Sequence, residues 1–600
     1  MPKNPLVFFQ ENIVSFQKTA QEKQSAFNLF STIRTIFFIL ALVLIVYLAN
    51  EREAFLVFTT LVVSGFSFAL LIKKHNQIRF ERDYFQNLVQ INKEEIHRLE
   101  GNFSKIENDG AEFQNQQHNY SGDLDIFGHN SLFQLINRTS TSPGTEELAK
   151  WLKSKSEIND IYARQESVKE LADQPELRQD FQAKGVFGIR DGKELEKLIA
   201  WVNEKPHFSN NQLLVVASYF LPVITVALIT LYFLLDDAPE ILWIGPLLVN
   251  FSILGKIRKG VSALCEETVK SAKTLKTFVK LIEVIEDNEF KSGKLKNLQH
   301  LLSLEKYKTS DLIKKLSRVL TNLEARENAY FYVTVNVVLL FELFWAIRLE
   351  RWRSYNQENL KVWMEAIAEF DALSSLAGFA YANPEYVMPL ISSEEYAYKA
   401  EYLGHPLIPK KERVSNDFRL TGQGKIIMIT GSNMSGKSTF LRTLGVNAVL
   451  AFAGAPVAAK KLELSLFNVF TSMRTQDSLE EHTSGFYAEL KRIKMLLSEI
   501  ATGENVFYLM DEVLKGTNSH DRHYGVKTII KKLVEQNCFG LLSTHDLSLS
   551  ELSNEYPEQI INKSFNCSIK DNKLSFDHKL HDGVCQSFSA SKLMEGLGIV

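Results

Sequence analysis

The stretch Lys425-Ile-Ile-Met-Ile-Thr-Gly-Ser-Asn-Met-Ser-Gly-Lys-Ser-Thr439 decides how the C-terminal third of the chain reads. A short β-prone apolar run ends at Gly431, and the residues after it fit GxxxxGK[ST], with a helical pattern beyond. The glycines let backbone N–H groups wrap phosphates, and the N-terminus of the following helix adds its positive dipole. The expected nucleotide-binding residues are therefore Gly431, Ser432, Asn433, Met434, Ser435, Gly436, Lys437, Ser438 and Thr439. Lys437 is expected to reach the β and γ phosphates of ATP and Ser438 to ligate Mg²⁺.

Downstream, the apolar strand Asn505-Val-Phe-Tyr-Leu-Met510 ends in Asp511-Glu512. Two acids delivered to a strand edge are what a nucleotide hydrolase needs, Asp511 to hold magnesium and Glu512 to orient or deprotonate the attacking water. Taken alone, an Asp-Glu pair is a solvated turn; after a phosphate loop it reads as a Walker B pair. A third strand, Cys538-Phe-Gly-Leu-Leu-Ser543, leads to Thr544-His545-Asp546, which makes His545 a candidate γ-phosphate sensor. Asn518, Ser519, His520 and Asp521 occupy a position suited to contacts across a nucleotide-sandwich dimer. Short β runs alternating with helices from about residue 420 predict an α/β domain with a parallel sheet.

Upstream the chain is mostly helical by its apolar spacing, and two pairs of apolar runs stand out. The first pair is Ile33–Ala49 and Ala54–Ile72, separated by Asn50-Glu-Arg-Glu53; the second is Leu213–Leu235 and Ile241–Gly255, separated by Asp236-Asp-Ala-Pro-Glu240. About 20 apolar residues cross a bilayer core, so these read as two transmembrane hairpins, with one short partner in each. Lys18, Lys23 and Arg34 precede the first hairpin and Lys73, Lys74 and Arg79 follow it; Lys205 precedes the second and Lys256, Arg258 and Lys259 follow it. The positive-inside rule then puts both termini and the large regions in the cytoplasm, and no cleaved signal peptide is expected. A fifth apolar stretch, Tyr330–Ile347, contains Asn336 and Glu342 and reads as a buried core helix, since a mid-span charge is costly in lipid.

The averages conceal this clustering. The 600 residues are 45% hydrophobic and 23% charged, with 68 Lys+Arg against 71 Asp+Glu. That excludes a disordered chain, a collagen-like repeat and a disulfide scaffold, and a charge of −3 gives no global pull toward nucleic acid. The four cysteines lie far apart with no CxxC, which predicts a reduced compartment and no structural zinc.

Several segments resemble the MutS family. Ile429-Thr-Gly-Ser-Asn-Met-Ser-Gly-Lys-Ser-Thr439 is similar to its phosphate loop, including the Asn-Met pair; Leu509-Met-Asp-Glu-Val-Leu-Lys-Gly-Thr-Asn-Ser519 resembles its Walker B and following loop, and Ser543-Thr-His545 its switch histidine. Asp477–Glu489, with Thr483-Ser484-Gly485-Phe486, resembles its signature segment, which implies that Ser484 and Gly485 reach the γ-phosphate of an opposite subunit. His405-Pro-Leu-Ile408 and Asn416-Asp417 resemble the lead-in to the ATPase domain. Asn130–Thr145, Arg164–Leu171 and Glu369–Ala377 resemble stretches of the helical MutS core. The implied protein is a homodimeric ATPase with ATP and Mg²⁺ at its cleft and DNA, in repair or recombination, as a partner. A mechanical ATPase or nucleotide-dependent scaffold acting on a protein or lipid partner is the alternative.

Departures from the family qualify that picture. Fewer than 40 residues precede the first apolar run, which leaves no room for a mismatch-reading domain, and Phe9-Gln10-Glu11 echoes that domain's wedge only by chance. The second apolar hairpin falls near where the DNA-gripping clamp would be inserted, and with the sequence ending at Val600 the C-terminal dimerisation extension of longer members is not expected. Lysines in 256–325 stand beside acids, the mark of a solvated helix face. The expected organisation begins with an N-terminal cytoplasmic segment (1–32), hairpin 1 (33–72) and a helix and linker (73–122). A first stretch of MutS-like helical core (123–204), hairpin 2 (205–256), a second stretch of core (257–400) and the ATPase domain (401–600) follow. The ATPase is expected on the cytoplasmic side of a multi-pass membrane protein.

Overall fold

Asn4 and Pro5 start the first helix, Asn4 Oδ1 accepting from the Leu6 N–H at 3.0 Å and Pro5 taking a first-turn position where its missing N–H costs nothing. The computed structural model describes residues 4–188, 200–474 and 485–585, apart from positions 203, 205, 236, 269–270, 305–306, 328, 537 and 571–572. Helices α1 (Pro5–Asn50) and α2 (Ala54–Leu99) have 46 residues each and pack antiparallel. At 1.5 Å per residue each is about 69 Å long, roughly twice a bilayer core. The expected hairpin 33–72 is thus the outer half of two longer helices, and from residue 5 the expected N-terminal segment belongs to the first of them.

The inner halves are docked. Phe8 and Phe9 lie edge-on to Tyr381 at 5.5 and 5.8 Å, so Phe9 is a core side chain and not a wedge. Tyr84 donates to Asp180 at 2.7 Å, and the Asn92 amide donates to Gln179 at 3.1 Å. Beyond them the helices carry exposed Ile, Leu, Val and Phe on every side.

The helical body comprises α3 (Ser142–Lys153), α4 (Ile158–Ala172), α5 (Pro175–Gly185), α6 (Gln212–Leu234), α7 (Ile241–Thr268), α8 (Ser271–Glu286), α9 (Gly293–Leu301), α10 (Thr309–Glu324) and the 42-residue α11 (Phe341–Ala382). The spine is α11. Buried Asp371 on it accepts from the N–H groups of Ser140 and Thr141 at 3.0 and 2.9 Å, and Ser375 accepts from the Arg138 N–H at 2.9 Å, which clamps the 130–145 segment to the spine. Four described helices are long and apolar enough to cross a membrane: α1, α2, α6 and α7 through Glu266.

Two expectations change. Residues 101–122, the linker part of the expected 73–122 segment, are packed: Phe103, Ile106 and Tyr120 are buried, and the Tyr120 hydroxyl donates to Leu152 O at 2.9 Å. Their Asn and Asp residues cap turns, Asp109 accepting from Ala111 N–H and Asn115 from Gln117 N–H. The Tyr330–Ile347 stretch is not one helix. A helical turn at Ala329–Phe331, a π-turn at Tyr332–Asn336 and a last turn at Val337–Leu339 end at Leu340, whose φ of 47° is left-handed, before α11 begins. Buried Glu342 holds the break together, its backbone N–H donating to Asn336 Oδ1 at 2.8 Å and its carboxylate meeting Arg326 at 2.9 Å.

The α/β domain opens earlier than residue 401, which falls inside a strand. Strands β1 (Leu390–Ile391), β2 (Ala397–Leu403), β3 (Asn416–Thr421) and β5 (Lys461–Leu464) form a sheet in the order β1-β5-β2-β3. The second sheet contains β4 (Ile426–Gly431), β6 (Asn468–Ser472), β7 (Val506–Asp511), β8 (Cys538–Thr544), β9 (Ile560–Lys570) and β10 (Lys573–Asp582), in the order β10-β9-β4-β8-β7-β6. All neighbours in it are parallel except β9 with β10. Strands β4, β7 and β8 are buried along their whole length, which is why they read as unbroken apolar runs. Helices α12 (Lys437–Ala453), α13 (Gly485–Ile500) and α14 (Ser519–Val534) complete this domain.

At the foot of α2, Glu95 lies between Arg98 (3.0 Å) and Arg138 (2.7 Å), all three buried. Burial pushes the Glu95 carboxyl up, but the two guanidinium groups outweigh it and hold it below the ordinary range. Glu95→Gln should lower stability at pH 7 by on the order of 3–5 kcal/mol, because it strands buried positive charge. A depressed folded pKa stabilises above the unfolded value and stops doing so as pH falls through the folded one. The wild-type advantage in unfolding midpoint, measured in detergent, should therefore be full at pH 7 and shrink below about pH 4.3.

Candidate functional site

Parallel strands β7, β8 and β4 end side by side, and their C-terminal edges bring the predicted residues together. Gly431 closes β4, where a Cβ would come within 2.7 Å of Phe565 O. Gly436, at φ 110°, starts α12, and a Cβ there would meet His578 Nδ1 at 3.1 Å. Between them Met434 is left-handed (φ 66°) and points to solvent. Ser432 Oγ and Ser435 Oγ are buried without a hydrogen-bond partner.

Lys437 is 4% exposed, its ammonium donating to Gly431 O at 2.9 Å and Ser432 O at 3.0 Å. Burial lowers its pKa, partly offset by Glu512 and Asp511. Ser438 Oγ donates to Asp511 Oδ2 at 2.5 Å, and Ser543 Oγ donates to the other Asp511 oxygen.

Glu512 follows β7 in a left-handed conformation (φ 50°), with its N–H donating to Ser543 O at 3.1 Å. That turn aims its carboxylate at His545 Nε2, 2.6 Å away, and at Lys515 Nζ, 3.2 Å away. The His545 hydrogen bond is the main reason the Glu512 carboxyl is lowered to about 2, with burial opposing it. Lys437 Nζ stands 3.5 Å from the same His545 nitrogen, so ammonium, imidazole and carboxylate form one contiguous group. The cleft above has a volume of about 300 Å³ and is lined by residues 432–439, Glu512 and His578, with Leu403, Ile408, Val414 and Phe440 supplying apolar wall.

Asn518 caps α14 by accepting from Asp521 N–H at 2.9 Å, and His520 is exposed at the same end. Ser484 lies outside the described residues. Gly485 begins α13, and the next residue, Phe486, packs so closely on Gly516 that a Cβ there would meet it at 3.0 Å. The strand before the signature segment is anchored to the helical body: Asp123 accepts from Thr471 Oγ1 at 2.7 Å and from the N–H groups of Met473 and Arg474 at 3.1 Å.

Sequence reading missed three contributors. Ser543 and Lys515 stand inside segments already singled out, so their proximity to Asp511 and Glu512 was available as a signal. His578 had none, since it reaches Ser435 O (3.0 Å) only through strand pairing some 140 residues downstream.

Comparison with known proteins bears on this geometry. The family model for MutS domain V matches residues 427–594 and that for MutS domain III residues 112–377. Together these matches support membership of the MutS family. The chain is similar to the DNA mismatch repair protein MutS of Thermotoga sp. (strain RQ2), 32% identical over 246 residues, 40% of this chain and 30% of that protein. It is 33% identical to the one of Thermotoga maritima over 223 residues (37% and 27%) and 30% identical to that of Geobacillus thermodenitrificans over 331 residues (53% and 34%). The chain spans about a third of the length of these MutS relatives. The domain V match includes the phosphate loop, the Asp511-Glu512 pair and His545, and the domain III match begins within the packed 101–122 segment.

Gly436→Ala tests the loop geometry. A Cβ at φ 110° is strained and presses on His578, so affinity for a fluorescent ATP analogue should fall at least about tenfold, a loss of about 1.4 kcal/mol. His578→Ala, which removes the obstructing ring, should restore some of it in the double variant.

Proposed function

We propose that the protein is a membrane-anchored MutS-family ATPase in which ATP binding and hydrolysis are coupled to DNA binding in repair or recombination. The observation that carries the ATPase reading is the convergence of Lys437, Ser438, Asp511, Glu512 and His545 on one cleft. The residues suit the ligand: two orphaned serine hydroxyls and a buried ammonium face where phosphates would lie, and the adjacent Ser438 and Asp511 oxygens are the hard donors that magnesium prefers. Bound magnesium would neutralise charge on the β and γ phosphate oxygens. Lys437 would bind the same phosphates, Glu512 would orient the attacking water, and His545 would keep the Glu512 carboxylate aimed.

In this reading two copies form a homodimer, with Ser484 and Gly485 of one completing the cleft of the other. The helices α1, α2, α6 and α7 anchor the protein as a multi-pass membrane protein with the ATPase domain on the cytoplasmic side. Their exposed apolar surface supports this, because such patches on a water-soluble monomer are rare.

A second reading, a mechanical ATPase acting on a protein or lipid partner without DNA, is favoured by the charge pattern. Lys294, Lys308 and Lys314, from the lysine-rich 256–325 region, are paired with Glu369, Asp287 and Glu283, which leaves less free positive charge for phosphate contacts.

Glu512→Gln should lower ATP turnover about 10²–10⁴-fold while retaining analogue binding, and Lys437→Ala should lose binding as well. Equal background rates in wild type and Glu512→Gln would remove the enzyme reading. Binding to duplex, branched or mismatched DNA that weakens steeply with salt supports the first reading, and no binding at low salt supports the second. Resistance to carbonate extraction is the expected outcome for the anchors.

A further inference from the structure

The broken stretch 329–347 does not lie in the soluble body alone. It rises alongside the inner halves of α6 and α7, the second apolar pair, as far as their middle. Its ascending limb starts where Arg326 Nη2 donates to Ser262 Oγ at 3.3 Å, and reaches Asn250, whose side-chain amide donates to Val337 O at 2.9 Å and Val338 O at 3.3 Å. Ser262 and Asn250 are twelve residues apart on α7, or about 18 Å. The descending limb, the start of α11, passes Tyr219 on α6 (ring centroids 5.6 Å from Phe344) and reaches Glu350. There the carboxylate accepts from the N–H groups of His207, Phe208 and Ser209, just before α6 begins.

The turn of this element is therefore level with Asn250 and with Thr225, the hydroxyl of which accepts from the same Asn250 amide at 3.0 Å. Thr225 is two residues from the centre of α6 (Gln212–Leu234), which places that level about 3 Å from the middle of the helix.

We infer that residues 329–347 form a re-entrant membrane element whose turn at Val337–Phe341 meets lipid acyl chains near the bilayer midplane. The inference rests on the reading that α6 and α7 span the membrane.

Irregular backbone survives at that depth only where its polar groups are satisfied inside the protein. Both broken ends meet this condition. The Asn250 amide covers the carbonyls of Val337 and Val338, where the ascending limb ends. Asn336 Oδ1 covers the Glu342 N–H in the first turn of the descending limb, and the Asn336 amide donates to the Glu342 carboxylate at 3.1 Å. The mid-element charge of Glu342 is neutralised by Arg326, nearer the cytoplasmic end. The outer surface is apolar: Leu339 is 40% exposed, and the two helices on which its turn packs expose Phe220 and Val223 (α6) and Leu248 and Phe251 (α7). Arg348 lies over the Phe344 ring at 4.5 Å, an aromatic–cation pairing suited to the headgroup level.

The test is depth-dependent quenching in proteoliposomes with the full chain. Of the four cysteines only Cys567 is not buried, so Cys567→Ser is the background for single cysteines at Leu339, Phe220 and Tyr355, each labelled with bimane. All three positions are exposed, so the variants should fold. The expected result is that labels at 339 and 220 are quenched at least about threefold more by lipid carrying a mid-chain nitroxide than by one with a headgroup nitroxide. The label at 355, on the soluble end of α11, should show neither. If 220 is quenched by the mid-chain probe and 339 behaves like 355, the re-entrant element is overturned while the spanning hairpin stands. If 220 also behaves like 355, the spanning reading fails and takes this inference with it.

Discussion

One buried carboxylate fixes the direction of the long apolar hairpin relative to the helical core. Glu95, near the inner end of a 46-residue helix, accepts from Arg98 on its own helix and from Arg138 in the core segment, with Arg178 close enough to depress its pKa further. Three buried guanidiniums around one buried acid can persist only if the geometry is held, because moving any member strands charge in a low-dielectric interior. Arg138 is also fixed through its backbone to Ser375 on α11, and Arg98 to Asn137 O. The consequence is that α2 cannot pivot independently of the spine. Its apolar outer half, and α1 packed along it, project in a direction set by the core.

The same logic explains what was legible beforehand. The phosphate loop is contiguous, so Gly431 to Thr439 declare themselves by spacing alone. The acids at 511–512 and His545 each sit at the end of an apolar run, which a fully buried parallel strand must be. Local chemistry in register with local structure is readable from one dimension. The 101–122 segment defeated the reading because a turn-rich composition suits a packed connection as well as a loose one. Only the burial of Phe103, Ile106 and Tyr120 separates the two. The helix break at Leu340 was hidden for a different reason. Nothing in Val-Val-Leu-Leu-Phe announces a left-handed residue; the break is imposed by Asn250, Arg326 and Asn336 acting from other turns and another helix. His578 likewise belongs to the cleft only through sheet topology.

The lead-in segment 405–413 stands between these two systems. Ile408 lines the cleft over residues 432–439, and Ile408 with Pro406, Pro409, Lys410 and Arg413 also lines a second cavity of about 960 Å³ at the feet of α1 and α2. Pro409 of the segment stands against Gly101, just past the end of α2, where a Cβ would come within 3.0 Å of the proline ring. A close-packed wall would transmit any shift of 405–413 directly into the Glu95 cluster, where the cost of displacement is highest. The cavity separates the two instead, leaving the segment room to follow the cleft while the ion cluster stays intact. Gly101 is a place where such movement would reach the hairpin, and its φ of 79°, which few side chains adopt, lets the chain turn there with no Cβ to press on the proline ring.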